Sequence, residues 1–185
     1  GMYTKAQEKW ERVLVASADP SDRSIAIRGI TYAHIEKGDR LGGIEAIKRF
    51  LVLENWREVG RSVRKELLFT LARLAEDQSN DYSDSGNMEA SGSLLLQLSN
   101  DVKDIPNRDS MVRDGAYQLA IAGKWAKASD AARDYAKNPK AKYRDDAIYL
   151  MARADEFQLK FASAAKTYYQ LAAYYPRHSR SGVSL

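Results

Sequence analysis

Four basic side chains recur at helical spacing in the first half of the sequence. They stand at i, i+4, i+7 and i+8, which would place them on one helix face: Arg57, Arg61, Arg64 and Lys65. Such a face could bind nucleic acid, another anionic polymer or an acidic protein surface. Three acids, Glu54, Glu58 and Glu66, are close enough to offset the charge, and no aromatic residue is interleaved. The pattern therefore favours a solvated helix face over a nucleic-acid site.

A second polar segment, from Asp81 to Glu89, has oxygen-bearing side chains at alternate positions and a glycine at Gly86, as calcium loops do. Gly92 stands where such a loop requires a bidentate glutamate. The sequence therefore predicts no metal site. Because the segment is rich in turn formers and interrupts the helical periodicity, it predicts an exposed loop over 79–88.

Groups suited to catalysis are scarce in this chain. His34 and His178 are the only two histidines, they stand far apart in the sequence, and there is no cysteine. No glycine-rich phosphate-binding motif or dinucleotide fingerprint occurs, and the carboxylates are scattered. The sequence therefore predicts no catalytic residues, no cofactor and no enzyme activity, and it favours a helix-packing role for His34.

The composition is that of a folded protein. The chain has 185 residues, of which 44% are hydrophobic and 29% charged, and only 4 are proline. Its net charge of +4 is a mild excess spread along the chain, whereas a dedicated nucleic-acid binder usually concentrates its basic residues. No run approaches the roughly 20 apolar residues of a membrane span. These features predict one helical domain over 1–185.

Apolar residues recur at helical spacing throughout, and no strand pattern occurs. Asp19-Pro20 and Gly38-Asp39 supply the turns between the first helices, and Pro106 ends a helix that starts near Glu89. The second half predicts two helix pairs, at 109–122 with 125–137 and at 141–157 with 160–174. Antiparallel helix pairs joined by short turns are therefore expected.

The two C-terminal pairs repeat one pattern in register. Trp125 and Phe161 are separated by 36 residues, as are Ala128 and Ala164. A fixed period of this size is typical of stacked helical repeats, each unable to bury its apolar face alone.

These units resemble tetratricopeptide repeats (TPRs), over 109–139 and 141–176. In the first unit Ala116 and Ala128 match the small residues at helix crossings, Gly123 and Trp125 the turn and its aromatic, and Pro139 the closing proline. In the second unit the matching residues are Ala152, Ala164, Phe161 and Pro176, while Leu159 replaces the turn glycine. The resemblance implies an all-α, right-handed superhelix (α-solenoid) of antiparallel pairs, cut from a longer array.

The C-terminal segment 168–179 also resembles repeats of bacterial envelope proteins, including outer-membrane assembly lipoproteins and cell-division coordinators. That resemblance implies a periplasmic or cell-envelope location. Without it, a cytoplasmic location is expected.

In the TPR arrangement the first helix of each pair lines an inner groove. The resemblance thus implies one partner-binding surface made of Arg28, Tyr32, Arg113, Tyr117, Tyr149 and Arg153. Arginine can donate two parallel hydrogen bonds to one carboxylate. Tyrosine offers a rigid ring for contact and a hydroxyl for hydrogen bonding. The alternative is that the tyrosines pack between helices and the arginines pair with Asp114, Asp146 or Glu156.

The expected function is that of a scaffold or adaptor that binds a protein or peptide and helps to assemble a larger complex. Two alternatives stay open. The basic face could bind nucleic acid or another anionic polymer, or the chain could be an accessory domain of a larger enzyme.

Overall fold

The protein is described by a computed structural model, which covers residues 2–54 and 58–179. In these ranges it forms nine α-helices and no β-strand. The helices are α1 (Met2–Ala16), α2 (Pro20–Glu36), α3 (Arg40–Leu53), α4 (Arg61–Asp84), α5 (Met88–Asp101), α6 (Arg108–Ile121), α7 (Trp125–Ala136), α8 (Arg144–Phe157) and α9 (Phe161–Tyr174). Consecutive helices pack against each other. The all-α prediction is confirmed, and the four helices α6 to α9 lie within a few residues of their predicted ranges.

The chain, expected as one domain over 1–185, divides into two compact units. Unit 1 comprises Gly1–Gln78 with Asp104–Pro106, and unit 2 comprises Ser79–Lys103 with Asn107–Leu185. The division falls within α4, so that helix contributes residues to both units.

The core of unit 1 follows from apolar residues three and four positions apart on α2, α3 and α4. Its fully buried large side chains are Ile27, Ile30, Ile44, Ile47, Phe50, Leu67 and Leu71. The predicted turns are confirmed, because Asp19 caps α2 by accepting from the Ser21 amide at 2.8 Å and Asp39 caps α3 by accepting from the Gly42 amide at 3.0 Å. Gly38, at φ +70°, ends α2.

Unit 2 has close helix crossings made by small residues. A Cβ atom built on Gly92 of α5 would lie 2.6 Å from the carbonyl oxygen of Gly115 on α6, so the two backbones are in contact. Farther along, Ala116, Ala128, Ala132 and Ala147 belong to a core cluster together with Leu119 and Leu150. The small residues let α6, α7 and α8 approach closely.

The predicted loop over 79–88 is wrong for most of its length. Helix α4 continues through Asp84, and only Ser85–Asn87 connect it to α5. Ser79 is buried and its hydroxyl lies 2.7 Å from that of Ser91, while the Ser83 hydroxyl donates to Ser91 Oγ at 3.1 Å. These polar side chains bond to α5 instead of to solvent. The segment that echoes a calcium loop is therefore mostly helix.

Candidate functional site

The six residues predicted for the partner surface are divided between the two units. Arg28 and Tyr32 lie on α2 in unit 1, and the other four lie on α6 and α8 in unit 2. Their surroundings differ in the two units.

An open groove of about 690 Å³ lies in unit 1 and is lined by α1, α2 and α4. Its lining is mainly apolar and includes Tyr3, Trp10, Ile25, Tyr32, Leu67 and Thr70. Two of these, Ile25 and Tyr32, are large and exposed, at 49% and 59%. The groove therefore offers apolar contact area to a ligand, at a volume usual for ligand sites.

Helix α1 packs along α2, and its Tyr3 hydroxyl donates to Glu36 at 3.3 Å. The ring of Trp10 covers Gly29 so closely that a Cβ on that glycine would lie 2.5 Å from the indole nitrogen. No residue of α1 is fully buried. The surface beside Trp10 is open and forms part of the groove lining.

An ion pair lies in the groove lining. Arg28 directs Nε and Nη2 at Glu66 Oε2, at 3.0 and 2.9 Å, and donates from Nη1 to Ser24 Oγ at 3.2 Å. Both partners are about half exposed, at 44% and 52% of their side chains. A pair this exposed contributes little net stability, so the guanidinium can exchange Glu66 for a ligand carboxylate at small cost.

Two further hydroxyls belong to the groove. A hydrogen bond with Glu36 raises the pKa of Tyr32, so this phenol keeps its proton to a higher pH than an ordinary tyrosine does. Thr31 is 5% exposed, and its Oγ1 has no hydrogen-bond partner among the described residues. A buried hydroxyl without a partner is unusual and is often found where a ligand or water binds.

In unit 2 the predicted residues make internal contacts instead. Arg113 donates to Asp114 at 2.7 Å, which raises the pKa of the arginine, and its guanidinium lies 4.3 Å from the centre of the Tyr143 ring. Tyr117 is half-buried and packs against the core cluster. The pocket between these residues holds only about 10 Å³, which is no more than a water molecule needs.

The residues on α8 are also engaged. Tyr149 lies against two rings, with centroids 6.2 Å from Tyr168 and 5.8 Å from His178. Arg153 forms an ion pair with Glu156 at 2.8 Å and lies 4.9 Å over the Phe157 ring. These pairings are the ones that the alternative interpretation named for Arg113 and Arg153.

The Arg153 contacts extend into an aromatic and polar cluster. Phe157 stacks on Trp125 of α7 at 4.0 Å with the planes 9° apart. The Tyr168 hydroxyl donates to Glu156 at 2.9 Å, and burial together with that bond raises the pKa of Tyr168 to about 12. The cluster joins three helices of unit 2 and serves packing.

Two of the four residues of the predicted basic face make contacts within the protein. Arg57 lies outside the described residues. Arg64 is bonded to Asp104, which lowers the pKa of that carboxyl, and Lys65 lies 5.9 Å over the ring of Phe69. Arg61 is exposed.

Sequence reasoning missed several residues that matter in unit 1. Arg23 forms a two-pronged pair with Glu54, at 3.0 and 2.6 Å, and also donates to the carbonyl oxygens of Leu14 and Ser17. Glu54, expected to offset the basic face, is thus bound to another helix. Ile25 was missed too, although its spacing of three from Arg28 and seven from Tyr32 puts all three on one face of α2.

Within the described part of the chain, no cluster of three histidine or carboxylate side chains could hold a metal ion. None of the helices that the structure describes is long and apolar enough to cross a membrane. No protein family, curated protein or solved structure matches the chain.

Proposed function

We propose that this protein is a helical scaffold that binds a protein or peptide segment in the groove of unit 1. The observation that carries the proposal is the open, mainly apolar groove with exposed Ile25 and Tyr32 beside a displaceable ion pair. Exposed apolar surface of this kind marks interaction sites.

The groove suits a ligand with one or two apolar anchors and a carboxylate. Ile25 and Tyr32 lie on a helix that is already formed in the free protein, so the backbone needs no ordering on the scaffold side. The planar guanidinium of Arg28 can donate two hydrogen bonds to the carboxylate. Apolar anchors would then give affinity, and the arginine would select the ligand and its register.

The finer fold proposal concerns unit 2, whose pairs α6/α7 and α8/α9 we infer to be degenerate TPRs stacked in a right-handed superhelix. Support comes from the turns, because Gly123 and Leu159 occupy the same place in the 36-residue period and both have positive φ, +74° and +60°. An aromatic residue begins the next helix in each case, Trp125 and Phe161. An experimental structure would test the handedness.

The binding proposal can be tested with peptides selected from a random displayed library against the wild-type chain. Affinities of the selected peptides are then measured by fluorescence polarisation for wild type, Ile25→Ser, Tyr32→Ala and Leu41→Ser. Leu41 is a matched control, since it is 45% exposed against 49% for Ile25 and does not line the groove.

The two groove variants are expected to bind about tenfold more weakly, which is the loss of one good apolar contact. Leu41→Ser should bind as wild type does. If the selected peptides bind all four proteins equally well, the groove is not the site. A single-stranded oligonucleotide that binds with steep salt dependence would instead favour the anionic-polymer alternative.

A further inference from the structure

One buried polar side chain in the lining of the unit 1 groove has no hydrogen-bond partner. Thr31 lies on α2 and lines the groove, and only 5% of it is exposed. Its Oγ1 forms no hydrogen bond with any residue in the ranges 2–54 and 58–179. Burial of an unpaired hydroxyl is unfavourable, because the group loses its bonds to water and gains none. A ligand that bonded to Thr31 would remove this unfavourable term.

Two other threonines show that a helical threonine can satisfy its own hydroxyl. Thr70 Oγ1 donates to the carbonyl oxygen of Glu66, and Thr167 Oγ1 donates to that of Ser163, both at 3.0 Å. Each bond reaches back four residues along the helix. Thr31 lies in the interior of α2 and makes no such bond. Its hydroxyl therefore keeps both its proton and its lone pairs unused.

Thr31 belongs to a row of hydrogen-bonding groups between α2 and α4. Arg28 stands three residues before Thr31, so the two share a face of α2. That face is turned towards α4, because Arg28 pairs with Glu66 there. Thr70 of α4 also lines the groove, and its Oγ1 can still accept a hydrogen bond, since its proton goes to Glu66. This side of the groove thus offers a donor at Arg28, an acceptor at Thr70 and both at Thr31.

The conformation of the ligand follows from these groups. A bound helix has its backbone N–H and C=O groups bonded internally except at its ends, so it would offer mainly side chains to the groove. A segment in extended conformation presents a free N–H and C=O at every residue. An extended segment can therefore pair with Thr31 whatever its side chains are, whereas a helix would need a polar side chain at that one place.

We propose that Thr31 hydrogen-bonds the backbone of the ligand, and that the groove takes an extended peptide segment. This inference rests on the proposed function, because it concerns the ligand of the same groove. Thr31 is buried in the free protein, so a neighbouring side chain moves when the ligand binds. Arg28 is suited to that movement, since it lies one turn away, is 44% exposed and can exchange Glu66 for a ligand carboxylate.

The first measurement needs no ligand. Thr31→Val replaces the hydroxyl by a methyl group of similar size, so it removes an unpaired polar group and leaves no cavity. The Tm of this variant should equal or exceed that of the wild type. A fall of more than about 3 °C, the loss expected of one intramolecular hydrogen bond, would show that the hydroxyl has a partner in the free protein and would overturn the inference.

The second measurement uses the peptides selected against the wild-type chain, with affinities from fluorescence polarisation. Thr31→Val should bind them about fivefold more weakly, which is the loss of one net hydrogen bond. Thr31→Ser keeps the hydroxyl and should stay within about twofold of the wild type. Thr167→Val is the matched control and should bind as the wild type does, because Thr167 belongs to unit 2 and does not line the groove.

Peptide esters show whether Thr31 bonds to the ligand backbone. An ester in place of one peptide amide removes an N–H and weakens the adjoining carbonyl as an acceptor. At one position the ester should weaken binding to the wild type several-fold and leave binding to Thr31→Val unchanged, which is the coupling expected of a direct contact. Nuclear Overhauser effects of the bound peptide should show strong contacts between each Hα and the next amide proton, as in an extended chain.

The outcomes separate this inference from the proposed function. Selected peptides that require Ile25 and Tyr32 but bind Thr31→Val as tightly as the wild type would overturn the inference and leave the proposed function standing. A helical bound peptide, or ester effects that are equal in the two proteins, would overturn it in the same way. If the peptides depend on neither Ile25 nor Tyr32, the proposed function fails and this inference fails with it.

Discussion

Units 1 and 2 use the same pair of residue types in different ways. Arg28 and Tyr32 stand four residues apart on α2, and Arg113 and Tyr117 stand four residues apart on α6. In unit 1 the pair lines an open groove. In unit 2 the arginine lies over a tyrosine ring and the tyrosine packs on the core cluster. Residue type and spacing alone therefore do not decide whether such a pair faces a ligand or a neighbouring helix.

The difference comes from how the neighbouring helices pack. In unit 2 small residues bring α5 to α8 close together, and an aromatic side chain lies beneath each candidate arginine, Tyr143 beneath Arg113 and Phe157 beneath Arg153. In unit 1 the Arg28 guanidinium is 44% exposed and pairs with Glu66 at the edge of the groove. Of the six predicted residues, only Arg28 and Tyr32 therefore line an open groove.

The comparison can be tested most strongly at the arginines of unit 1. Arg23→Met should lower the free energy of unfolding by about 2–3 kcal/mol, because it leaves the Glu54 carboxylate, whose side chain is 4% exposed, without its partner. Arg28→Met should change it by less than about 1 kcal/mol, since its pair with Glu66 is exposed. Urea denaturation measures both. Equal losses would show that the groove arginine is structural as well.

The tyrosines allow the same substitution to be compared between units. Tyr117→Ala should destabilise the protein by about 2 kcal/mol, because it removes a half-buried ring from the core cluster. Tyr32→Ala should change the stability by no more than about 0.5 kcal/mol, since that ring is 59% exposed. Thermal and urea unfolding report both values. A larger loss at Tyr32 than at Tyr117 would reverse the assignment of the two surfaces.

The glycines test the two kinds of helix contact. Gly92→Ala should lower the free energy of unfolding by about 1–2 kcal/mol, because its Cβ would meet the backbone oxygen of Gly115, which cannot move aside alone. Gly29→Ala meets the Trp10 side chain, and the gain in helix propensity of about 1 kcal/mol offsets part of the strain. We expect a smaller loss there, with a change in tryptophan fluorescence. Urea denaturation measures both losses. A larger loss of unfolding free energy in Gly29→Ala than in Gly92→Ala would contradict this prediction.

The smallest expected effect is a pH dependence in unit 2. Because the pKa of Tyr168 is about 12 in the folded protein against an ordinary value of 10, its contribution to stability is complete below pH 10 and is lost as the pH rises toward 12. Solvent screening limits that contribution to about 1 kcal/mol. Tyr168→Phe should therefore show a flatter stability curve between pH 9 and 11 than wild type. Tyr169→Phe, at an exposed site, is the control and should follow wild type.

Much of the fold could be predicted from local patterns. Apolar spacing gave the helices of the second half, and Asp19, Gly38 and Asp39 marked turns because capping depends on residues only two or three positions away. The same local reasoning failed at Ser79 and Ser83. Their hydroxyls are satisfied by Ser91 on another helix, a contact that no local pattern contains.

The candidate site was predicted only in part. Arg28 and Tyr32 were named from the TPR resemblance, but Ile25, Trp10 and the buried hydroxyl of Thr31 were not. The sequence also could not show that Arg23 is a structural arginine, because its partner Glu54 is 31 residues away in the chain.

The sequence by itself determined the helical class, the turns and the 36-residue period, since each of these depends on residues that are neighbours along the chain. Only the tertiary structure decided which arginines and tyrosines are covered and where the groove opens. Those properties depend on contacts between residues tens of positions apart, such as Gly92 against Gly115 and Trp10 over Gly29.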